Sequence, residues 1–332
     1  MRDSGSMNRR PAANFPADPE IVFMGTPDYA VPSLKKLVEC GYAVRAVVTQ
    51  PDRPRGRGRR PAPPPVKVEA QRLGLPVFQP QKASAMDFCR SIQELGPDVL
   101  VVVAFGQILK KGLLDIPGWG ALNIHASLLP RYRGAAPIQW AVINDERETG
   151  LTAMRMDQGL DTGPILLQKA VPIGPEETAG ELHDRLSRLS GDVLVQALEG
   201  LKEHRLVEMP QDNALATHAP KIDRGMAVVP WTRTARSIAA LIRGLDPWPG
   251  AVSFVGKKEV KLFSAVVAAA PDSNIDKRGV PGRVAGCTGG GLLVETGEGI
   301  VRIRELQAPG RRRLPASEFL RGFPIEQGTV LG

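Results

Sequence analysis

The sequence predicts an α/β protein: a doubly wound, Rossmann-like sheet, mostly parallel, followed by a small OB-like β-barrel. Three observations carry that expectation. Short apolar, β-branched runs alternate with amphipathic stretches over residues 20–201, the pattern of strands and crossover helices in an α/β sheet. Residues 98–104 (DVLVVVA) are almost continuously apolar, as a central strand covered on both faces requires. Beyond residue 220 the character changes to short strands broken at close intervals by Gly and Pro, which suits a small barrel.

The elements follow in order. Residues 20–24 (EIVFM) form the first buried strand and end at Gly25. Residues 31–37 have helical periodicity, 43–49 (AVRAVVT) form strand two, and 66–73 form a helix before a short strand at 75–78. A helix over 85–95 takes Ser84 as its N-cap. The central strand comes next, then a strand over 121–124 that runs into His125. Pro137 opens a further helix, since a proline is tolerated in a first turn. Strands at 151–156 and 165–171 precede a long amphipathic helix over 178–201 with Thr178 as its cap. Residues 204–220 have no periodicity and are assigned as a linker. A helix over 234–245 and strands at 251–255, 260–265, 282–285, 291–295 and 299–306 complete the chain. The expected organisation is a disordered tail (1–19), a catalytic domain (20–203), the linker, and a C-terminal barrel (221–332).

Composition narrows the function classes. At roughly 100–200 residues per domain, 332 residues favour two domains. With 42% hydrophobic and 23% charged residues the chain is too apolar for a disordered protein. No apolar run reaches the ~18–20 residues of a membrane span. The polar, Pro-rich tail has no signal-peptide core, so a cytoplasmic protein is expected. Cys40, Cys89 and Cys287 are widely spaced and read as reduced, core or half-buried thiols. His125, His183, His204 and His218 have no metal-ligand spacing, so no metal is expected. GxGxxG, P-loop, GxSxG and HExxH motifs are missing, which removes support for nicotinamide, nucleoside-triphosphate and hydrolase chemistry.

Three segments can carry chemistry. In the first, Asn123 and His125 lie two apart on a strand, so both side chains share one face at its carboxyl end. An amide there can donate to a developing oxyanion, and an imidazole can move a proton near neutral pH. A capping Asn beside a surface His gives the same spacing. In the second, Asp157 and Asp161 sit in a Gly-rich turn. Either one can orient His125, and either one can instead make an Asx turn. In the third, residues 51–61 hold five Arg and one Asp, a net charge of +4 in a loop whose Pro and Gly oppose regular structure. Such a loop is either a solvated arm or a grip for phosphates. Residues 211–332 carry 17 Lys or Arg against 11 Asp or Glu, a net of +6, densest at Lys257, Lys258 and Lys261 and at Arg311, Arg312 and Arg313. A basic barrel joined to an α/β enzyme suits a nucleic-acid platform.

The run Asn123-Ile124-His125-Ala126-Ser127-Leu128-Leu129-Pro130-Arg131-Tyr132-Arg133-Gly134, with Leu160-Asp161-Thr162-Gly163 and Gly25-Thr26-Pro27-Asp28, resembles the folate-dependent formyltransferases. Residues 50–54 (QPDRP), 56–58 (GRG), 135–140 (AAPIQW) and 246–250 (DPWPG) are similar to the branch whose acceptor is charged initiator tRNA. The resemblance runs from Ile21 to about Val330.

It implies that Asn123, His125 and Asp161 are the catalytic trio, and that Ser127, Leu128, Leu129 and Pro130 line the folate site. It implies that Arg57 holds the acceptor end of the tRNA, in a loop where Arg53 and Arg55 add charge. Lys258, Arg311, Arg312 and Arg313 are expected to face tRNA from the barrel. The implied reaction moves a formyl group from 10-formyltetrahydrofolate to the α-amino group of tRNA-bound methionine, in a protein expected to be a monomer. The rival expectations are transfer to a small amine, such as a sugar nucleotide, and an RNA-binding protein without turnover.

Overall fold

Strand β1 (Glu20–Gly25) is the centre of the first sheet. It is buried from Ile21 onward, as a strand flanked on both edges and covered on both faces must be. The computed structural model describes residues 15–55, 60–268, 280–288 and 290–332. Helix α1 (Val31–Glu39) carries a proline in its first turn, where the missing N–H is not needed. Strand β2 (Ala43–Val48) returns parallel to β1. The pair β3 (Arg53–Arg55) and β4 (Arg60–Ala62) precedes α2 (Pro65–Arg72) and β5 (Val77–Phe78). Helix α3 (Met86–Leu95) leads to β6 (Val99–Val103), and α4 (Lys111–Leu114) to β7 (Gly120–His125). Next come β8 (Arg133–Gly134), α5 (Pro137–Ile143), β9 (Glu148–Arg155), β10 (Ile165–Pro172), α6 (Ala179–Lys202) and β11 (His218–Ala219).

The sheet order is β10-β9-β7-β6-β1-β2-β5. The pairs β1–β2, β1–β6, β2–β5 and β6–β7 are parallel, and β7–β9 is antiparallel. The order departs from β1 in both directions, which creates a switch point between β1 and β6, where ligands of such sheets bind beyond the carboxyl ends. Side chains tie those ends together. The Thr26 hydroxyl donates to the Phe105 carbonyl (2.8 Å), and Gln50 Nε2 donates to the carbonyls of Phe105 (3.1 Å) and Gly106 (2.8 Å). On one face Val22, Met24, Leu100 and Val102 pack with Phe88 and Ile92 of α3. On α1, the Ser33 hydroxyl meets that of Ser190 on α6, buried, at 2.7 Å.

Contacts divide the chain into two units: Met1–Arg133, Gly150–Lys169 and Arg185–Ala216 in the first, Gly134–Thr149, Ala170–Asp184 and Thr217–Gly332 in the second. This division differs from a cut on either side of residues 204–220. Helix α5 groups with the second unit, and residues 204–216 with the first. Met209 exchanges both backbone hydrogen bonds with Ile165 (2.8 and 2.9 Å), so the expected linker is partly an added strand.

In the second unit, Thr234 caps α7 (Ala235–Gly244) by accepting from the Ser237 amide. Helix α5 packs on α7 closely enough that a Cβ at Gly244 would overlap Ile143. Strands β12 (Ala251–Val255), β13 (Lys258–Val267), β14 (Val284–Thr288), β15 (Gly291–Glu295) and β16 (Ile300–Gln307) form an antiparallel sheet in the order β12-β13-β16-β15-β14. The short β17 (Leu314–Pro315) pairs with β16 and is followed by α8 (Ala316–Gly322). The chain end closes this sheet: Leu331 bridges Val255 at one edge, and Val330 bridges Arg283 beside the other. One segment thus covers both edges, which is how a barrel avoids a free strand edge.

Several expectations change. Helix α3 is capped by Ala85 with no side-chain hydrogen bond, so Ser84 is not its cap. Thr178 does cap α6, in a reciprocal pair with Glu181 (3.2 and 2.9 Å). The expected tail is ordered from Phe15, which is buried edge-on against Trp119 at 5.2 Å; residues 1–14 lie outside the described set. The arginine loop does hold a regular element, because Pro54 faces Pro61 where neither partner needs an N–H for the ladder. Cys40 and Cys287 are exposed rather than core or half-buried, and Cys89 is half-buried. Helix α4, β17 and α8 were missed. No helix among the described residues is long and apolar enough to cross a membrane.

Leu331 is 4% exposed and sits in the barrel core. Leu331→Ala should destabilise the protein by about 2–5 kcal/mol in denaturant unfolding. It should also speed exchange of the Phe254 and Val284 amides, which donate to the Gly332 and Thr329 carbonyls.

Candidate active site

Strand β7 delivers Asn123 and His125 to the carboxyl edge of the sheet. Asn123 is in register with Met154 and His125 with Thr152, both on β9. The two side chains share a face, as their spacing predicts, and are nearly enclosed at 8% and 7% exposure. His125 Nε2 lies 2.9 Å from the Tyr132 carbonyl oxygen. A carbonyl only accepts, so Nε2 carries the hydrogen and the lone pair of the neutral ring is on Nδ1. Nδ1 faces Asp161, 3.7 Å from Oδ2, within ion-pair range and longer than a hydrogen bond. A proton taken up at Nδ1 therefore arrives opposite a carboxylate.

The turn containing the two aspartates separates their roles. Asp157 Oδ1 accepts from the Gly159 amide (3.0 Å) and the Thr162 hydroxyl (2.7 Å), an Asx turn. Asp161 has φ +54°, a left-handed conformation that Asp tolerates better than most residues, and its carboxylate turns to His125. Spacing left the two open; the geometry brings Asp161 to the imidazole and commits Asp157 to the turn. Gly163 allows the close passage of this loop, since a Cβ there would overlap the Arg155 carbonyl.

The loop after His125 is held from inside. The Ser127 hydroxyl donates to the Arg131 carbonyl (2.6 Å). The Thr152 hydroxyl donates to the Ser127 carbonyl (2.6 Å) and accepts from the Leu129 amide (3.1 Å). Gln168 Nε2 donates to the Leu129 carbonyl (2.9 Å) and to Thr152 Oγ1 (3.0 Å). Leu129 packs with Met154 and Ile165. Ser127 and Leu129 are thus committed to the interior, while Leu128 and Pro130 are half-buried and retain open surface. Of the four residues expected to line a ligand site, only the latter two present side chains to solvent.

The expected nucleic-acid cations divide as well. Arg53 is exposed and donates to Gln50 Oε1 (2.7 Å). The loop residue Arg57 and the side chain of Arg55 lie outside the described set. Lys258, Arg311 and Arg312 are exposed. Lys258 lies 5.4 Å from the Phe323 ring centre, and Arg312 pairs with Glu318 at 2.8 Å. Arg313 corrects the expectation. Its guanidinium donates to Asp246 (3.0 Å), Glu305 (2.5 and 2.9 Å) and Ser264 (2.9 Å), and stacks on Phe263 at 4.2 Å. Burial pushes the Asp246 carboxyl up, against the pull of Arg313. Burial also pushes Glu305 up, but hydrogen bonds from Ser264 and Arg313 outweigh it and hold Glu305 below its usual value. Arg313 is a structural counter-ion.

Sequence reasoning missed Thr152, Gln168, Arg133, Gln211 and the Tyr132 carbonyl. Thr152 left a signal as a polar residue inside the buried run of β9, and Tyr132 and Arg133 lie in the run that resembles the family. Among the described residues no group of three or more His, Cys, Asp and Glu side chains could hold a metal ion.

The chain is similar to known proteins over nearly its whole length. The profile described as formyl transferase matches residues 20–198, and that described as formyl transferase, C-terminal domain, matches residues 221–324. A methionyl-tRNA formyltransferase of Geobacter sulfurreducens is 50% identical over 94% of this chain and 96% of its own length. Two solved structures share the fold. HypX from Aquifex aeolicus, in complex with tetrahydrofolic acid, has TM-score 0.61 and 18% identity over 95% of this chain and 51% of its own. The sugar 3N-formyl transferase WlaRD, with dTDP and 5-N-formyl-THF, has TM-score 0.63 and 17% identity over 89% of this chain and 99% of its own.

Thr152→Val keeps the side-chain shape and removes the hydroxyl. The Leu129 amide and Ser127 carbonyl then lose a buried partner, so stability should fall by about 1–3 kcal/mol, with faster exchange at the Leu129 amide. Arg313→Ala should lower stability by about 1.5–3 kcal/mol, because the Asp246 carboxylate stays buried. Adding Asp246→Asn should restore part of that loss in the same unfolding measurement.

Proposed function

The chain belongs to the formyl transferase family, and on that footing we propose that it transfers the formyl group of 10-formyltetrahydrofolate to the α-amino group of methionine on initiator tRNA. The observation that carries this reading is the placement of Asn123, His125 and Asp161 around one strand end, in a chain 50% identical to a methionyl-tRNA formyltransferase across nearly its whole length.

The amine attacks the formyl carbon, and the carbonyl oxygen becomes an oxyanion. Asn123 donates its amide N–H to that oxyanion. His125 takes the proton lost by the amine at Nδ1, where Asp161 faces the resulting charge, and returns it to the folate nitrogen as the carbon–nitrogen bond to the donor breaks. Formylmethionyl-tRNA and tetrahydrofolate result, with no enzyme-bound acyl group. Leu128 and Pro130 offer the donor the open side of the loop. Arg53, Arg55 and Arg57, with Lys258, Arg311 and Arg312, attract the tRNA backbone, and that attraction weakens as salt rises. The protein acts as a monomer in the cytoplasm on this reading.

The test supplies formyl-folate with methionyl-tRNA, and separately with small amines including amino sugar nucleotides, and follows products by mass. Formylmethionyl-tRNA is expected. Formylated small amines without it would overturn the reading in favour of the first rival, and RNA binding with no transfer in favour of the second. Asn123→Ala should lower kcat about 10²- to 10³-fold, the usual loss for one oxyanion donor.

A further inference from the structure

The His125–Asp161 geometry depends on a loop in which Asp161 is held left-handed, and part of what holds that loop comes from a residue 50 positions further along the chain. We propose that Gln211, backed by Arg133, is a positioning residue that fixes Asp161 against His125 during formyl transfer, an inference that rests on the catalytic reading above.

Register places Gln211. Ile165 and Met209 are antiparallel partners, so two residues onward from Met209 lies opposite two residues back from Ile165, which sets Gln211 beside Gly163. Its Nε2 donates to the Gly163 carbonyl (2.7 Å) and to the Asp161 carbonyl (2.9 Å). One amide thus holds both ends of the three-residue segment whose first member is the carboxylate at the imidazole. The amide is itself fixed. Gln211 Oε1 accepts from Arg133 Nε (3.1 Å) and Nη2 (2.7 Å), and the same Nη2 donates to Asn213 Oδ1 (2.9 Å).

Arg133 is only 5% exposed. It follows Tyr132, whose carbonyl receives the Nε2–H of His125. The two sides of the imidazole are therefore set by one linked group: Nε2 through the residue next to Arg133, and Nδ1 through the loop that Gln211 holds. Arg133 orients the amide so that Oε1 faces the guanidinium and Nε2 faces the carbonyls, the one arrangement in which donors meet acceptors. Without it, Asp161 keeps its carboxylate but not its place, and a displacement of about 1 Å in an oriented group can lower the rate about 100-fold.

The test separates positioning from folding. Gln211→Glu keeps an acceptor for Arg133, as a charge-assisted pair, but presents an oxygen to the two carbonyls. Steady-state kinetics with formyl-folate and methionyl-tRNA, with thermal unfolding alongside, are compared for the wild type, Gln211→Glu and Asp161→Asn. The expected result for Gln211→Glu is a kcat about 10- to 100-fold lower, KM for both substrates within about threefold, and an undiminished unfolding temperature. Gln211→Met, which has the same length and no donor, replaces it if the glutamate variant fails to fold. A kcat within about twofold of wild type, or a loss carried by KM alone, would overturn the proposal. If Asp161→Asn itself leaves kcat unchanged, the catalytic reading falls. If Asp161→Asn lowers kcat and the Gln211 variants do not, only the positioning role falls.

Discussion

One hydroxyl, on Thr152, sets the condition for the rest of the site. The chain leaves β7 at His125 and must turn at once without secondary structure, although Ser127 and Leu129 are buried. Buried backbone groups that leave a ladder need other partners. Thr152 stands opposite His125 in the β7–β9 register and supplies both kinds, donating to Ser127 and accepting from Leu129. The antiparallel edge of an otherwise parallel sheet is what brings such a residue there.

The loop so held determines the chemistry of the histidine. Its path carries the Tyr132 carbonyl back to His125 Nε2, which fixes the ring orientation and the tautomer together. With Nε2–H committed, Nδ1 remains to exchange protons, and the second loop, through Asp161, faces it. Both loops are tied to β9: Thr152, in its middle, organises the first, while Gly163 passes close to the Arg155 carbonyl at its end and shapes the second. The sheet edge is a common frame for both sides of the imidazole.

The parts that were legible in the sequence were those written in local periodicity. The buried run of β6, the alternation of Asn123 and His125, the proline at the start of α5 and the cap at Thr178 need only neighbours a few residues away. What stayed hidden depends on distant partners. Gln211 lies 50 residues from Asp161 and 78 from Arg133, in a stretch without periodicity, so it read as linker. Pro54 and Pro61 read as breakers because each was judged alone; paired, they fall where the hairpin needs no N–H. Asp157 and Asp161 had equal standing by spacing because an Asx turn and an imidazole partner use the same residue type.

Charge read from composition shows the same limit and also its remedy. The surplus of +6 in the last 122 residues suggested a cationic platform, yet Arg283, Arg304, Arg312 and Arg313 are paired with Glu295, Glu176, Glu318 and the Asp246–Glu305 pair. Pairing spends a guanidinium's donors but does not remove its charge from the sum. At distances beyond a Debye length, about 8–10 Å at ordinary salt, an approaching polyanion responds to the net surplus rather than to individual contacts. At contact only groups with accessible donors act, and Arg313 has too few left. The basic composition therefore speaks to encounter with RNA, while grip and register rest on a smaller set of side chains that only the folded arrangement distinguishes.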